Sequence, residues 1–139
     1  MLALRTQSIP TLFDDFNTLN RFFDYRTATQ GDLRPKVDVF DKGDVLVVQA
    51  ELPGVNEKEI DIEFADSVLT IKAERKIIEE EGREYHRREI AGGTYTRAMK
   101  FSTPVDASKI EASYQNGVLE VRLPKDEALK PRKIAVAGA

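Results

Sequence analysis

The central part of the chain alternates apolar and polar residues with the period of two that is typical of half-buried β-strands. This alternation occurs in residues 60–64, 69–73, 110–114 and 119–123, and residues 45–50 form a strongly apolar run. Residues 95–101 are a further candidate strand. Several short strands separated by turn signals are typical of an immunoglobulin-like antiparallel β-sandwich. Residues 35–125 are therefore predicted to form one all-β domain.

Turn residues separate these runs and favour tight connections between neighbouring strands. The segment Asp41–Asp44 contains Gly43, and a second turn signal is the pair Pro53-Gly54. Asn116-Gly117 lies between two alternating runs and is the strongest short hairpin signal, because both residues tolerate a positive φ angle. The sequence thus predicts a hairpin with arms near residues 110–114 and 119–123.

The first 34 residues have a different pattern, in which apolar residues recur every three or four positions as on one face of a helix. Pro10-Thr11 offers a helix start, with Thr11 as the N-cap. Four of the chain's seven phenylalanines lie among the first 23 residues. Residues 1–34 are predicted to be an aromatic-rich helical or flexible arm. Its apolar face consists of Leu12, Phe13, Phe16, Leu19, Phe22 and Phe23, among others.

Two further segments do not fit the core of a sandwich. Residues 74–93 are highly charged and long for a plain loop, and long ordered loops in compact domains are often functional. Residues 126–139 form an extended, polar tail that carries Ile134 and Val136 on one side, because alternate residues of an extended chain face alike. A closed β domain with a short apolar peptide on its tail favours association with other copies of the chain.

Composition limits the possible functions. The chain has 139 residues and a formal net charge of −3, so there is no electrostatic reason to expect a nucleic acid or an anionic membrane as partner. It has no cysteine and one histidine, and it lacks the common nucleophile, zinc-protease and phosphate-loop motifs. We therefore expect no enzyme activity, cofactor or metal. The absence of cysteine fits a cytoplasmic protein, and no apolar run is long enough to span a bilayer.

Several segments in the same order resemble the alpha-crystallin family of small heat-shock proteins, of the bacterial and plant type. Ala112 with Gly117-Val118-Leu119 fits the family's A-x-x-x-x-G-V-L signature, and Ile134-x-Val136 fits its tail motif. Residues 51–55 fit the turn after the early strands, and residues 85–89 fit the strand that such proteins exchange within a dimer. The resemblance covers about residues 35–136 and departs from many relatives at Ser102.

This resemblance implies an ATP-independent holdase, which binds unfolding client proteins and is built from homodimers that form larger homo-oligomers. It implies that Ile134 and Val136 anchor the tail in a groove of a neighbouring domain. The implied groove residues are Ile60, Ile62, Phe64, Ile110, Ala112 and Tyr114. The implied dimer-interface residues are Val37, Val39, Tyr85, His86, Arg87, Arg88 and Arg97. The implied client-binding residues are the apolar ones of the arm.

Other interpretations of these residues stay open on the sequence alone. The apolar face of the arm could pack on the sandwich, since an apolar helical face is usually part of a core. The tail could dock on its own domain, and Arg97 could pair with a carboxylate of its own subunit. The main alternative function is a monomeric interaction module with a related sandwich, such as a CS-domain co-chaperone, which lacks the exchanged strand and the tail motif.

Overall fold

The computed structural model describes residues 33–129 and 133–138, and within them the protein is an antiparallel β-sandwich. The predicted fold class is confirmed for this part of the chain, while the N-terminal arm lies almost entirely outside the described residues. The strands are β1 (Val37–Asp41), β2 (Val45–Glu51), β3 (Ile60–Ala65), β4 (Val68–Arg75), β5 (Gly93–Lys100), β6 (Glu111–Gln115) and β7 (Val118–Pro124). Short 3₁₀ turns lie at Glu57–Glu59, Ala107–Lys109 and Glu127–Leu129.

The strands form a four-stranded sheet of order β1-β2-β7-β6 and a three-stranded sheet of order β3-β4-β5. In both sheets every neighbouring pair is antiparallel. The core lies between the sheets because every second side chain along the strands is apolar and points inward. Its fully buried members include Val48, Leu52, Leu69, Ile71, Val121 and Leu123. No helix among the described residues is long and apolar enough to cross a membrane.

The predicted hairpin and turns are present with small shifts in their bounds. Asn116 and Gly117 have φ angles of 53° and 78°, which are the signs expected of the type I′ turn that joins β6 to β7. The predicted strand at residues 95–101 begins two residues earlier, at Gly93, and ends at Lys100. Phe101 is buried just beyond that end, where its N–H donates to the Ser67 carbonyl over 2.8 Å.

The turn between β3 and β4 has no glycine and was not predicted. Asp66 and Ser67 occupy it with φ angles of 51° and 64°. Aspartate tolerates the left-handed region because its short side chain bonds locally, whereas serine has less preference for it. The turn therefore carries backbone strain at Ser67.

We expect Ser67→Gly to stabilise the protein, since Asp-Gly is a preferred type I′ pair. Relief of the left-handed strain, less the extra backbone entropy of glycine, should raise the free energy of unfolding by about 0.5–1 kcal/mol. Urea denaturation at one fixed protein concentration measures the change. Gly117→Ala, which introduces a side chain at a φ of 78°, is the matched control and should destabilise. Equal or lower stability for Ser67→Gly would contradict the strain at this turn.

Candidate functional site

The two sheets leave a pair of strand edges open on one side of the sandwich. Leu33 forms a parallel bridge with Tyr95 of β5, and the chain then continues into β1. This crossing places the β1 and β5 edges together. The other edges, β3 and β6, therefore lie together on the opposite side. Such edges present unpaired backbone N–H and C=O groups that can pair with another chain.

The apolar residues predicted to form the groove line this pair of edges. Ile62 faces inward because its cross-strand partner is the buried Ile71, and Tyr114 faces inward opposite the buried Leu119. Five of the six predicted groove residues are only half-buried against the core, and these are Ile60, Ile62, Phe64, Ile110 and Tyr114. Ala112 is exposed. The edges thus offer a partly solvated apolar strip.

Tyr114 fixes one wall of this strip. Its hydroxyl is shared between two backbone carbonyl oxygens, that of Leu52 at 2.7 Å and that of Val55 at 3.1 Å. Both acceptors belong to the segment that leads from β2 into β3. The hydroxyl therefore ties β6, at the edge of one sheet, to the chain that enters the other sheet.

The tail does not bury its apolar residues against the described part of its own domain. Ile134 is 81% exposed and Val136 is 93% exposed. Residues 133–138 have no regular secondary structure. The two side chains predicted to anchor the tail are therefore available to another surface.

Residues 76–92 connect β4 to β5 and form no strand with the other residues that the structure describes. Almost all of them are exposed, including His86. The loop carries exposed apolar side chains, of which Ile78 is 77%, Ile90 is 76% and Tyr85 is 48% exposed. It folds over an open pocket of about 410 Å³ that is lined by these three residues and by several arginines.

Arg75, at the end of β4, closes the base of this loop. Its Nε donates to the Ala91 carbonyl over 2.8 Å, and a second guanidinium N–H reaches the same oxygen. A third N–H donates to the Pro53 carbonyl over 3.3 Å. The guanidinium also lies 5.3 Å from the centre of the Tyr95 ring, within the range of a cation–π contact. One side chain thus joins both ends of the loop to the turn after β2.

Several of the loop's charged groups have partners within the loop or at its base. Lys76 Nζ lies 2.7 Å from Glu59, and this contact raises the pKa of Lys76. Hydrogen bonds to the Tyr85 hydroxyl and the Glu80 carboxylate raise the pKa of Arg83. Two predicted interface residues also have partners within the loop. Arg87 lies 3.3 Å from Glu89, and the guanidinium of Arg88 lies 5.2 Å from the centre of the Tyr85 ring.

The remaining predicted interface residues lie at the opposite pair of edges. Val37 and Val39 on β1 are half-buried and pack against the core. Arg97 on β5 donates to the backbone carbonyl of Pro35 over 3.3 Å, beside the point where the chain crosses between the sheets. The part these three residues play between subunits stays a prediction, as does that of the loop residues.

Sequence reasoning missed the apolar residues inside the charged loop. The pair Ile77-Ile78 and the single Ile90 interrupt a long charged stretch, and that interruption is the signal that could have identified them. Ile77 also contacts the base of the loop, where a Cβ on Gly92 would lie 2.3 Å from its Cγ1. The predicted client-binding residues Leu12, Phe13, Phe16, Leu19, Phe22 and Phe23 lie outside the described residues.

Open strand edges, an exposed apolar tail and a long exposed loop on a two-sheet sandwich are features that suit association with other chains. Within residues 33–129 and 133–138, no group of histidine, aspartate and glutamate side chains could hold a metal ion.

Comparison with known proteins identifies the family. The model of the Hsp20/alpha crystallin family matches residues 38–137. The chain is 34% identical to the small heat shock protein C2 of Rickettsia felis, over 97% of this chain and 88% of that protein. It is 38% identical to the 18 kDa antigen 1 of Mycobacterium avium, over 91% of this chain and 86% of that protein.

A solved structure gives the same result. A small heat-shock protein from Xylella fastidiosa, described as having a distinct high order structure, superposes with a TM-score of 0.62 at 33% identity, over 75% of this chain and 96% of that one. The chain belongs to the Hsp20/alpha crystallin family. The resemblance inferred from the sequence motifs is therefore confirmed, and the family is one of chaperones rather than enzymes.

We expect Tyr114→Phe to lower the free energy of unfolding by about 1 kcal/mol, because two backbone carbonyls lose their hydrogen-bond donor. Urea denaturation at fixed protein concentration measures the loss. Tyr85→Phe removes the same hydroxyl from the exposed loop and should change stability by less than about 0.5 kcal/mol. If both variants lose stability equally, the Tyr114 hydroxyl does not hold the groove wall in place.

Proposed function

We propose that this protein is an ATP-independent holdase, which binds unfolding proteins through exposed apolar surface and keeps them from aggregating. Its membership of a chaperone family supports this function. The observation that carries the proposal is the set of apolar side chains that the domain leaves open to water, in the β3–β6 groove, the loop and the tail. An unfolding client exposes apolar surface, and a chaperone without a nucleotide cycle must offer apolar surface in return.

Assembly is proposed to begin with a dimer that exchanges residues 85–89 between subunits. In this dimer Tyr85, His86, Arg87 and Arg88 of one subunit would lie against the β1 edge of the other, near Val37 and Val39. Arg97 would stabilise the same interface. The exposure of the loop and its lack of pairing with its own sheet support this arrangement.

The dimers are proposed to join through their tails, with Ile134 and Val136 in the β3–β6 groove of a neighbour. Burial of two such side chains contributes roughly 3–6 kcal/mol before the cost of ordering the tail. That free energy corresponds to about millimolar affinity for one contact. Many contacts in a closed assembly reinforce one another through effective concentration. The particle would therefore be stable while its single links open often.

Client binding is proposed to use the phenylalanines of the N-terminal arm. Aromatic side chains carry a large apolar area for few rotatable bonds, so they bind varied apolar surfaces at low entropic cost. A groove vacated by a tail is a second apolar surface, which could accept an extended client segment. We also propose a cytoplasmic location, in keeping with a sequence that has no cysteine.

A monomeric co-chaperone of the CS-domain type is the alternative that the sequence left open. Membership of the Hsp20/alpha crystallin family favours the holdase. Light scattering coupled to size exclusion separates the two functions directly. A single species near the 15.7 kDa mass of the chain would favour the monomeric module, and dimers with larger particles would favour the holdase.

We expect the double substitution Ile134→Gly and Val136→Gly to convert larger particles mainly into dimers, because it removes both anchors from the tail. Mass measured by size exclusion with light scattering follows the change. Ala135→Gly, which adds similar backbone freedom but keeps both anchors, is the control and should leave the particle size unchanged. Unaltered size in the double variant would exclude the tail as the link between dimers.

We expect the wild-type protein, without nucleotide, to suppress the light scattering that reports aggregation of a heat-unfolded client. This should occur at molar ratios of protein to client of one or less. Replacement of Phe13, Phe16, Phe22 and Phe23 by serine should remove most of this protection, because it removes the aromatic surface of the arm. The control replaces Thr18, Thr27 and Thr29 of the same arm by serine and should protect like wild type. Full protection by the phenylalanine variant would place client binding elsewhere. Client aggregation at its normal rate with wild type would contradict the holdase.

A further inference from the structure

Three carboxylates lie along the rim of the β3–β6 groove. Inward-facing apolar residues alternate with Asp61 and Glu63 on β3, so these two side chains face outward, and both are exposed. Glu111, at the start of β6, is exposed in the same way and neighbours the inward-facing Ala112. The apolar strip is therefore bordered by negative charge on both edge strands.

Two of these carboxylates, Glu63 and Glu111, form no ion pair with the described part of the domain, whereas Asp61 lies directly opposite Lys72 of β4. Glu63 lies opposite the uncharged Thr70. Glu111 lies opposite Arg122, whose guanidinium is 3.5 Å from Glu120 instead. Within the described part of the chain, no hydrogen bond or ion pair joins Glu63 or Glu111 to a cation. Their charge is available to whatever occupies the groove.

Glu63 and Glu111 lie towards the same end of the groove. The N–H of Leu52 donates to the Gly117 carbonyl over 2.8 Å, and Tyr114 bonds to Val55. The end of β6 is therefore beside the segment that enters β3, so the two edge strands run in opposite directions. The start of β6 then lies near the end of β3, which brings Glu111 towards Phe64 and its neighbour Glu63.

The tail carries the complementary charge directly before its anchor. Lys130, Arg132 and Lys133 precede Ile134, whereas the whole chain has a net charge of −3. An extended chain advances about 3.3 Å per residue, so their spacing in the sequence allows at most roughly 15 Å between these cations and the anchor. Salt screens exposed charges beyond a Debye length of about 8 Å at physiological ionic strength, so the cations nearest the anchor would interact most strongly with a carboxylate beside the groove.

We propose that the carboxylates on the rim of the groove select the basic run of a neighbouring subunit's tail, and that this charge match distinguishes the chain's own tail from other apolar peptides. This inference rests on the proposed docking of Ile134 and Val136 in the groove. It also specifies the direction of docking, because the tail would enter the groove at the end where Glu63 and Glu111 lie. The apolar pair gives the contact its strength, and the charges give it selectivity and a salt dependence.

A peptide titration tests the inference with the full-length protein. The receptor is the Ile134→Gly, Val136→Gly variant, whose own tails cannot fill the groove. The ligand is a fluorescent peptide of residues 127–139, and binding is followed by anisotropy at about 50 mM and about 500 mM salt, where screening differs strongly. A peptide with the anchors replaced by glycine tests docking itself. A peptide with Lys130, Arg132 and Lys133 replaced by glutamine tests the charge match.

We expect the glutamine peptide to bind about tenfold more weakly than the wild-type peptide at low salt, since exposed ion pairs are individually weak but act together here. High salt should reduce this difference to less than about twofold. Receptor substitutions Glu63→Lys and Glu111→Lys should weaken the wild-type peptide similarly. The same receptor substitutions should restore binding of a peptide in which Lys130, Arg132 and Lys133 are replaced by glutamate.

A matched control distinguishes the effect of the rim carboxylates from the effect of a change in the receptor's net charge. Glu79→Lys with Glu81→Lys makes the same change of charge in the exposed loop and should leave binding within about twofold of the parent receptor. An equal effect of the loop and rim substitutions would overturn the inference. Equal binding of the wild-type and glutamine peptides, with anchor dependence intact, would overturn it while tail docking stands. Equal binding of the wild-type and anchor-free peptides would overturn the proposed docking and the inference together.

Discussion

The need to cover the edges of two small sheets determines most of this structure. A sandwich buries the inner faces of its sheets, but its outermost strands keep unpaired backbone groups and half-covered side chains. Here the crossing of the chain from β5 to β1 covers one pair of edges in part, through the bridge between Leu33 and Tyr95 and the bond from Arg97 to Pro35. No described residue pairs with the β3 and β6 edges in this way. The surfaces proposed for association follow from this difference.

The tail and the loop between β4 and β5 expose apolar side chains in different ways. The tail presents an apolar pair that is not buried against the described residues of its own domain, so within that part of the chain it has no other site to leave before binding. The loop between β4 and β5 is anchored at its base by Arg75, but its apolar residues are open to solvent. A fixed base with an exposed tip lets the loop reach a partner while the sandwich beneath it stays intact.

The strands could be predicted from the sequence because burial on one face imposes a period of two, and the hairpin at Asn116-Gly117 could be predicted because its turn chemistry is local. The turn at Asp66-Ser67 could not, since its positive φ angles occur without a glycine or asparagine signal. The groove residues came from a family resemblance. That β3 and β6 share one side depends on the pairing of Leu33 with Tyr95, a contact between distant residues that no local pattern encodes.

The position of β2 has a consequence for synthesis on the ribosome. This strand contains the strongly apolar run Val45–Ala50, and its second neighbour in the sheet is β7, which ends at Pro124. Non-local pairings form late because the intervening chain must close first. Until β7 has left the ribosome, the nascent chain therefore displays an apolar strand that can pair with β1 on one edge only. A member of a chaperone family is thus itself exposed to aggregation while it is being translated.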